Sequence, residues 1–302
     1  MNLLKYNGER IDTRLSQFPY SRNFFHHIIS RGIRVKVVKK SYKLKNNDEI
    51  FIDDLKRYLS PIILEEAPKI QIPIILEKED YMVINKPKVL SHPNSVWEAN
   101  YPSVVFLYHN FKKLPSIGNF IRAGLIHRLD KDTDGLMIIA KTEKLAHFKS
   151  LFQEKSEIAS SFDENIWNDS EDFDEIDGID ENKIPIKKFY KAKSIITVLG
   201  DEFLKKIEKQ LPHYIQETVY AKVPNPNPKM ITKILDYKKE DMVELNLEIL
   251  TGRTHQIRYH LSNHGLPIAD YLYGTEENFP MQLTAYRLEF TDPEGEKVHI
   301  SL

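Results

Sequence analysis

The chain is predicted to fold in the α+β class, around a central mixed, mainly antiparallel sheet. Short apolar runs that alternate with period two outnumber segments of helical period. Strands and helices follow one another irregularly, without the strict alternation that marks a wholly parallel sheet. No internal repeat is visible.

The 302 residues suffice for one large or two modest domains, and the apolar content of 41% is ordinary for a globular protein. With no cysteine, the chain has no disulfide, thiolate zinc site or cysteine nucleophile, which suits a reducing compartment. The opening MNLLKYNGERIDTRL lacks the apolar core of a signal peptide, and no uninterrupted apolar run reaches transmembrane length. A soluble, cytoplasmic, monomeric protein with no membrane partner is expected. The net charge of −1 conceals an asymmetry. Residues 154–184 hold 12 acidic and 2 basic side chains, a local charge of −10, which leaves +9 on the remainder. Arg31 to Lys45 carries seven basic residues and no acidic one, so it reads either as a solvated hairpin or as a face that attracts a polyanion such as nucleic acid.

Residues 1–60 read as a small module. Ser21 can cap a helix with Phe24, Phe25, Ile28 and Ile29 on one face, and Gly32 stands at its C-terminal end. A basic strand Arg34–Val38, the turn KNNDE and a strand Ile50–Ile52 follow. Residues 61–73, with Pro61, Pro68 and Pro73, read as a linker, and a second domain occupies 74–302. Its start, IPIILEKEDYMVINKP, predicts two strands joined by EKED and ended by Lys86 and Pro87. That Lys-Pro pair and His92 fit a strand-ending turn or a loop near a site. Trp97 to Phe120 is aromatic-rich, and a partly helical core segment is expected there.

Leu125 to Lys141, LIHRLDKDTDGLMIIAK, reads as strand, charged loop, strand, with Asp130 beside a cation at a strand end. An aspartate there either caps the turn or is held for chemistry. Thr142 can cap a helix in TEKLAHFKSLFQ, with Leu145, Phe148, Leu151 and Phe152 facing inward. Residues 155–183 form an acidic tract that buries too little to order itself and reads as a mobile insertion; a second reading makes it a mimic of nucleic acid shielding a basic cleft. A strand carrying Tyr190 lies in KKFYKAKSIITVL, and Asp201–Gln210 is a short charged helix. In DMVELNLEILTG, Val243, Leu245, Leu247 and Ile249 alternate inward. The next segment, GRTHQIRYHLSNHG, has Gly252 at the junction, Ile257 and Leu261 on one helical face and Gly265 at the end. Strands close the chain at Gln282–Phe290 and Lys297–Leu302.

Taken singly, Asp130 is a turn aspartate, Tyr190 a tyrosine at the core edge and Arg258 a helix arginine in a surface pair. Together the motifs NKPKVLSHP, HRLDKDTDGLMIIAK, KFYKA and LTGRTHQIRYHLSNHGLPIADYLYG resemble, in the same order, those of RluA-type pseudouridine synthases. GERIDTRLSQ, YSRNFFHHIISRGIRV and KNNDEIFI likewise resemble the S-four-like RNA-binding module, although its usual Asn-Gly is missing and Asn47 stands where Gly is common. The resemblance implies that Asp130 is the catalytic carboxylate, that Tyr190 stacks on the target uracil and that Arg258 pairs with Asp130. Isomerisation of uridine breaks the ribose–nitrogen bond, turns the base and rejoins it through carbon. A carboxylate that attacks, or takes a proton, suffices for this, so no metal and no redox cofactor is implied. Arg128 matches the arginine that fills the space of the flipped base, and His127 either contacts the RNA backbone or is structural. Arg22, Arg31, Arg34 and Lys36 are the RNA-binding candidates of the leading module. Two residues depart from the pattern: Asp134 replaces a usual Ser and Ala269 a usual Gly.

Large-subunit ribosomal RNA is the expected substrate, with transfer RNA the alternative inside the class. A non-catalytic RNA-binding or ribosome-assembly factor would not need Asp130, Tyr190 and Arg258 together. A glycosidase would need a second carboxylate, which Asp132 or Asp134 offers, but gives no reason for the Arg258 motif.

Overall fold

The computed structural model describes residues 71–88, 124–160, 183–218, 229–270, 272–273 and 281–302. The 1–60 module with Arg22, Arg31, Arg34 and Lys36, most of the 61–73 linker, His92, the segment Trp97 to Phe120 and most of the acidic tract lie outside the described residues. The described elements are β1 (Ile74–Glu77), β2 (Tyr81–Lys86), β3 (Asp134–Ala140), α1 (Leu145–Ser160), β4 (Ile186–Ser194), α2 (Val198–Ile207), β5 (His213–Thr218), β6 (Lys229–Lys239), β7 (Val243–Ile249), α3 (Gln256–Asn263), β8 (Leu283–Thr291) and β9 (Lys297–Ser301). They form the expected α+β architecture, one sheet in the order β1-β2-β3-β8-β4-β7-β6-β5, with β9 also on β8. Every pairing is antiparallel except that of β3 with β8.

The period-two pattern explains β7, where Val243, Leu245, Leu247 and Ile249 are buried in one cluster with Leu204 and Ile207 of α2 and Ile257 and Leu261 of α3. A second cluster joins Tyr81, Val83, Leu136, Ile138 and Ala140 to Leu145, Phe148 and Leu151 of α1. On β4, Ile186, Lys188, Tyr190, Ala192 and Ser194 share one face and all are buried. Ile186 belongs to the α1 cluster and Tyr190 and Ala192 to the other, so all three helices cover the same face of the sheet. Lys188 and Tyr190 lie where the two clusters meet.

Several boundaries differ from expectation. Leu125 forms only an isolated bridge to Ile139, so no full strand precedes the charged loop. The reason is local: the Ile138 N–H, which a neighbouring strand would engage, donates to His127 Nε2 at 3.0 Å. Helix α1 continues to Ser160, into the stretch expected to be an insertion from residue 155, because Lys155 is buried and donates to the Ile186 carbonyl at 2.8 Å. Helix α2 starts three residues early, capped by Thr197, whose Oγ1 accepts from the Gly200 N–H at 3.2 Å. The sequence reading contained neither β5 nor β6; in β6 a register shift between Ile234 and Asp236 and the buried Thr232 and Lys233 interrupt the alternation. Among the described residues no helix is long and apolar enough to cross a membrane.

The sheet is joined across its middle by two parallel pairings, Asp134 with Thr284 and Gly135 with Ala285. Gly135 has φ +118°, and a Cβ built on it would lie 2.2 Å from the Ala285 carbonyl oxygen. Only glycine fits, both for its backbone angle and for the approach of β8. Gly135→Ala is expected to destabilise the fold by about 3 kcal/mol or more, from backbone strain plus a clash that requires β8 to move. Gly295→Ala is the control: Gly295 also has positive φ, +87°, but nothing lies within 4 Å of its Cβ position. Urea unfolding of both variants should show the larger loss at Gly135; equal losses would mean that crowding at the seam is unimportant.

Candidate active site

Asp130 ends the segment that crosses in front of β3, and the Thr133 N–H donates to its carbonyl at 3.2 Å, closing a tight turn. The loop is held from beneath. Lys86, at the end of β2, is wholly buried and donates to the Pro87 carbonyl at 3.0 Å and to the Lys131 carbonyl at 3.3 Å. Burial lowers its ammonium to about 8, although the charges of Asp134, Asp132 and Asp130 resist the shift. Asp134, the residue that replaces a serine in the motif, accepts from the Thr284 hydroxyl at 2.8 Å. It therefore reinforces the seam between β3 and β8.

Arg258 lies on the second position after the start of α3 and is buried together with Ile257 and Leu261 of the same helix. Its Nη1 donates to Asp130 Oδ2 at 3.3 Å. Its Nη2 donates to Asp270 Oδ1 at 2.7 Å, and its Nε donates to Asp270 Oδ2. The fork is thus filled by Asp270, and one remaining nitrogen reaches Asp130. The guanidinium carbon also lies 5.5 Å from the centre of the Tyr273 ring. Burial disfavours the Arg258 charge, but Asp270 and then Asp130 outweigh it, and the net shift is upward. For Asp270, burial favours the neutral acid, yet the bonds from Arg258 and from the Leu272 N–H, at 2.8 Å, hold the carboxyl below its usual range.

The turn ahead of α3 is fixed by one buried side chain. Gln256 Oε1 accepts from the Thr251 hydroxyl at 2.7 Å and from the Arg253 N–H at 3.1 Å, while its Nε2 donates to the Ile231 carbonyl at 2.9 Å and to Thr232 Oγ1 at 3.0 Å. The turn is tied in this way to β6, and His255 is held at φ +57°, an uncommon conformation for a residue with a side chain. His255 Nε2 lies 4.0 Å from Asp130 Oδ2, and its Nδ1 lies 3.3 Å from the Tyr273 hydroxyl. Burial is the largest influence on this imidazole and lowers its pKa, against the pull of Asp130.

Asp130, Tyr190, Arg258 and Arg128 line one cleft, whose apolar wall includes Leu129, Ile249 and Leu283. Tyr190 stands on β4 opposite Leu247 and Ala285. Burial first and the Asp130 charge second raise its phenol well above its ordinary value, so it stays protonated at neutral pH. Arg128 is exposed at the rim, and the side chain of Asp130 is 18% exposed, against 0% for Asp270. His127 lies beside the cleft, with Nε2 engaged by the fold and its ring 5.0 Å from that of Phe152. The sequence reading missed Asp270, Gln256 and His255, and left Lys86 between a strand-ending turn and a loop near a site. Asp270 was visible in PIADYLYG without a role, and its distance of twelve residues from Arg258 gave no helical or strand spacing to pair them.

A buried guanidinium whose main partner is removed retains its desolvation cost. Asp270→Asn is therefore expected to lower stability by about 3 kcal/mol at neutral pH. The folded pKa of Asp270 lies below its unfolded value. Its contribution is thus complete above the ordinary carboxylate pKa and is lost as pH falls through the folded value. Unfolding measured from neutral to acid pH should show the gap between wild type and Asp270→Asn shrinking as pH falls; a gap independent of pH would exclude the ionised pair.

A family model described as RNA pseudouridylate synthase matches residues 80–263, more than half of the chain. An RNA pseudouridine synthase of Aquifex aeolicus is 29% identical over 280 residues, covering 88% of this chain and 77% of the relative. The ribosomal large subunit pseudouridine synthase D of Haemophilus influenzae is 28% identical over 283 residues, covering 88% of this chain and 74% of the relative. Among solved structures, human RNA pseudouridylate synthase domain containing 4 aligns with a TM-score of 0.49 and 16% identity, over 80% of this chain and 90% of that one. With the family model spanning residues 80–263 and the motif residues Arg128, Asp130, Tyr190 and Arg258 lining a single cleft, the chain belongs to the RNA pseudouridylate synthase family of isomerases.

Proposed function

We propose that this isomerase converts uridine to pseudouridine in large-subunit ribosomal RNA, with Asp130 as the catalytic carboxylate. The observation that carries the assignment is the contact of Arg258 with two carboxylates that differ in access: Asp270 is sealed beneath the guanidinium, and Asp130 faces the cleft. A carboxylate oxygen is thereby presented to substrate in a fixed direction. The target nucleotide leaves the stack, and exposed Arg128 occupies the space it vacates. Asp130 then attacks the ribose or takes a proton, and the ribose–N1 bond breaks. The base turns, the ribose rejoins at C5, the proton on C5 leaves and N1 gains one, so the reaction is a balanced isomerisation. Tyr190 is protonated and flat-walled, which suits stacking on uracil during the turn; a phenolate base for the C5 proton is opposed by its burial and by the charge of Asp130.

The ribosomal target is supported by the name of the Haemophilus influenzae relative and by the resemblance of residues 1–60 to an RNA-binding module. Such a module and a basic remainder of the chain fit a large polyanionic substrate in the cytoplasm.

Release of tritium from bulk RNA labelled at C5 of uridine measures the reaction directly. Wild type should release it, Asp130→Asn should release at least about 10³-fold less, and Tyr190→Leu should lose roughly 10- to 100-fold through lost stacking. No release by wild type would leave an RNA-binding protein without this activity, and undiminished release by Asp130→Asn would remove Asp130 from the chemistry. Mapping pseudouridines in cells lacking the protein should show the missing site in large-subunit ribosomal RNA; a loss confined to transfer RNA would overturn the target.

A further inference from the structure

Beside the cleft lies a second pocket of about 260 Å³, walled by His127, Arg128, Phe152, Lys155, Lys188 and Arg253 among others. Lys188, Arg128, Gly252 and Arg253 border both pockets. Lys188 shares a face of β4 with Tyr190, two residues away, which places the two about 7 Å apart along the strand. A Cβ on Gly252 would lie 3.6 Å from Lys188 Nζ, so the ammonium sits beneath a stretch of bare backbone at the boundary of the pockets.

Lys188 is only 6% exposed, yet among the described residues it has no hydrogen-bond or ion-pair partner. Its near neighbour is the Phe152 ring, 5.3 Å from Nζ. Behind it, buried Lys155 donates to the Ile186 carbonyl at 2.8 Å and feels the opposing charge of Glu248. Burial lowers Lys188 to about 8, and burial followed by the Lys188 charge lowers Lys155 to about 7. Holding an unpaired ammonium out of water is costly, and apolar side chains would fill the space at less cost. An anion entering the pocket removes that cost. Its class follows from the connection between the pockets: a uridine in the cleft carries its sugar and phosphates across that same boundary.

We propose that this pocket binds a backbone phosphate of the RNA strand next to the flipped uridine. Lys188 is the buried donor, Arg253 the exposed one at the rim, and Lys155 supports the field from behind. The inference rests on the reading of the cleft as the uridine site. One phosphate held there fixes the ribose relative to Asp130 and offsets part of the cost of extracting the base.

Binding of a short labelled oligouridylate across a range of salt concentrations tests the pocket. Lys188→Gln should weaken binding about tenfold at moderate salt and reduce the slope of log affinity against log salt by about 0.7, the value for one lost single-strand contact. Lys188→Arg should keep most of the slope, and Lys205→Gln, an exposed lysine on α2, should behave as wild type. A folded Lys188→Gln with wild-type slope overturns the proposal. Should that variant not fold, Arg253→Gln decides by the same slope, which falls if the pocket holds phosphate and overturns the proposal if unchanged. Tritium release by wild type, measured separately, keeps the two readings distinct. Release with an unchanged Lys188→Gln slope removes the phosphate pocket alone, whereas a reduced slope without release keeps the phosphate and removes the uridine chemistry.

Discussion

The approach of Gly135 to Ala285 is the constraint on which the rest of the molecule depends. Among the described residues, the only strand pairing that joins the β1-β2-β3 ribbon to the β8-β4-β7-β6-β5 group is the short parallel one that this glycine permits. The contact also positions the site, because the loop ending in Gly135 carries Asp130 and the strand it meets lies next to Tyr190 on β4. Moving β3 away from β8 by the width of a methyl group would shift the carboxylate relative to both the phenol and the guanidinium. Asp134, bonded to Thr284, and Lys86, bonded to the Lys131 carbonyl, support the seam from opposite ends of the loop.

Arg258 turns that geometry into electrostatics. One guanidinium near two carboxylates would hold neither firmly if the two competed on equal terms. Here the competition is settled by access, since Asp270 takes two nitrogens in a sealed position and receives the Leu272 N–H as well. Asp130 is left with the nitrogen that points toward the cleft. Asp270 thus locks the guanidinium in place, and Asp130 gains a charged neighbour without being enclosed by it. A carboxylate that must reach substrate needs that freedom.

Where one physical signal dominated, the sequence was readable. Alternation in β7, the Ile257–Leu261 stripe of α3 and the turn between β1 and β2 each follow from local pattern, and the structure contains them. The family motifs led to Asp130, Tyr190, Arg258 and Arg128, which the fold brings into one cleft from three separate segments. What was not readable depends on partners far away in sequence. In β8, Leu283 and Ala285 face the core with Leu288 and Phe290, a change of parity produced by the register shift opposite Phe189 and Tyr190. No alternation rule anticipates that shift, because the extra residue, Tyr286, bulges in β8 opposite two consecutive residues of β4. The bond of His127 to Ile138 replaced an expected strand for a similar reason: a side chain took a ladder position. Asp270, Gln256 and Lys188 are ordinary polar residues until the sheet and α3 surround them.

The same arrangement explains why a buried lysine is tolerated at the junction of two cores. Tyr190 closes the edge of the α2–α3 cluster, Ile186 belongs to the α1 cluster, and Lys188 between them cannot be covered fully by either. Alternation along β4 obliges its side chain to point toward the helices, so the choice at this position is between filling the gap with carbon and placing a functional group there. Carbon would stabilise the free protein and offer nothing to a polyanion. The ammonium instead stores unfavourable desolvation that only a ligand relieves, beside Gly252, where a missing side chain leaves room for approach. Because Gln256 already fixes the turn carrying Gly252 and Arg253, the donors stand in place before RNA arrives. Ordering them does not then consume the binding energy needed to draw the uridine out of its stack.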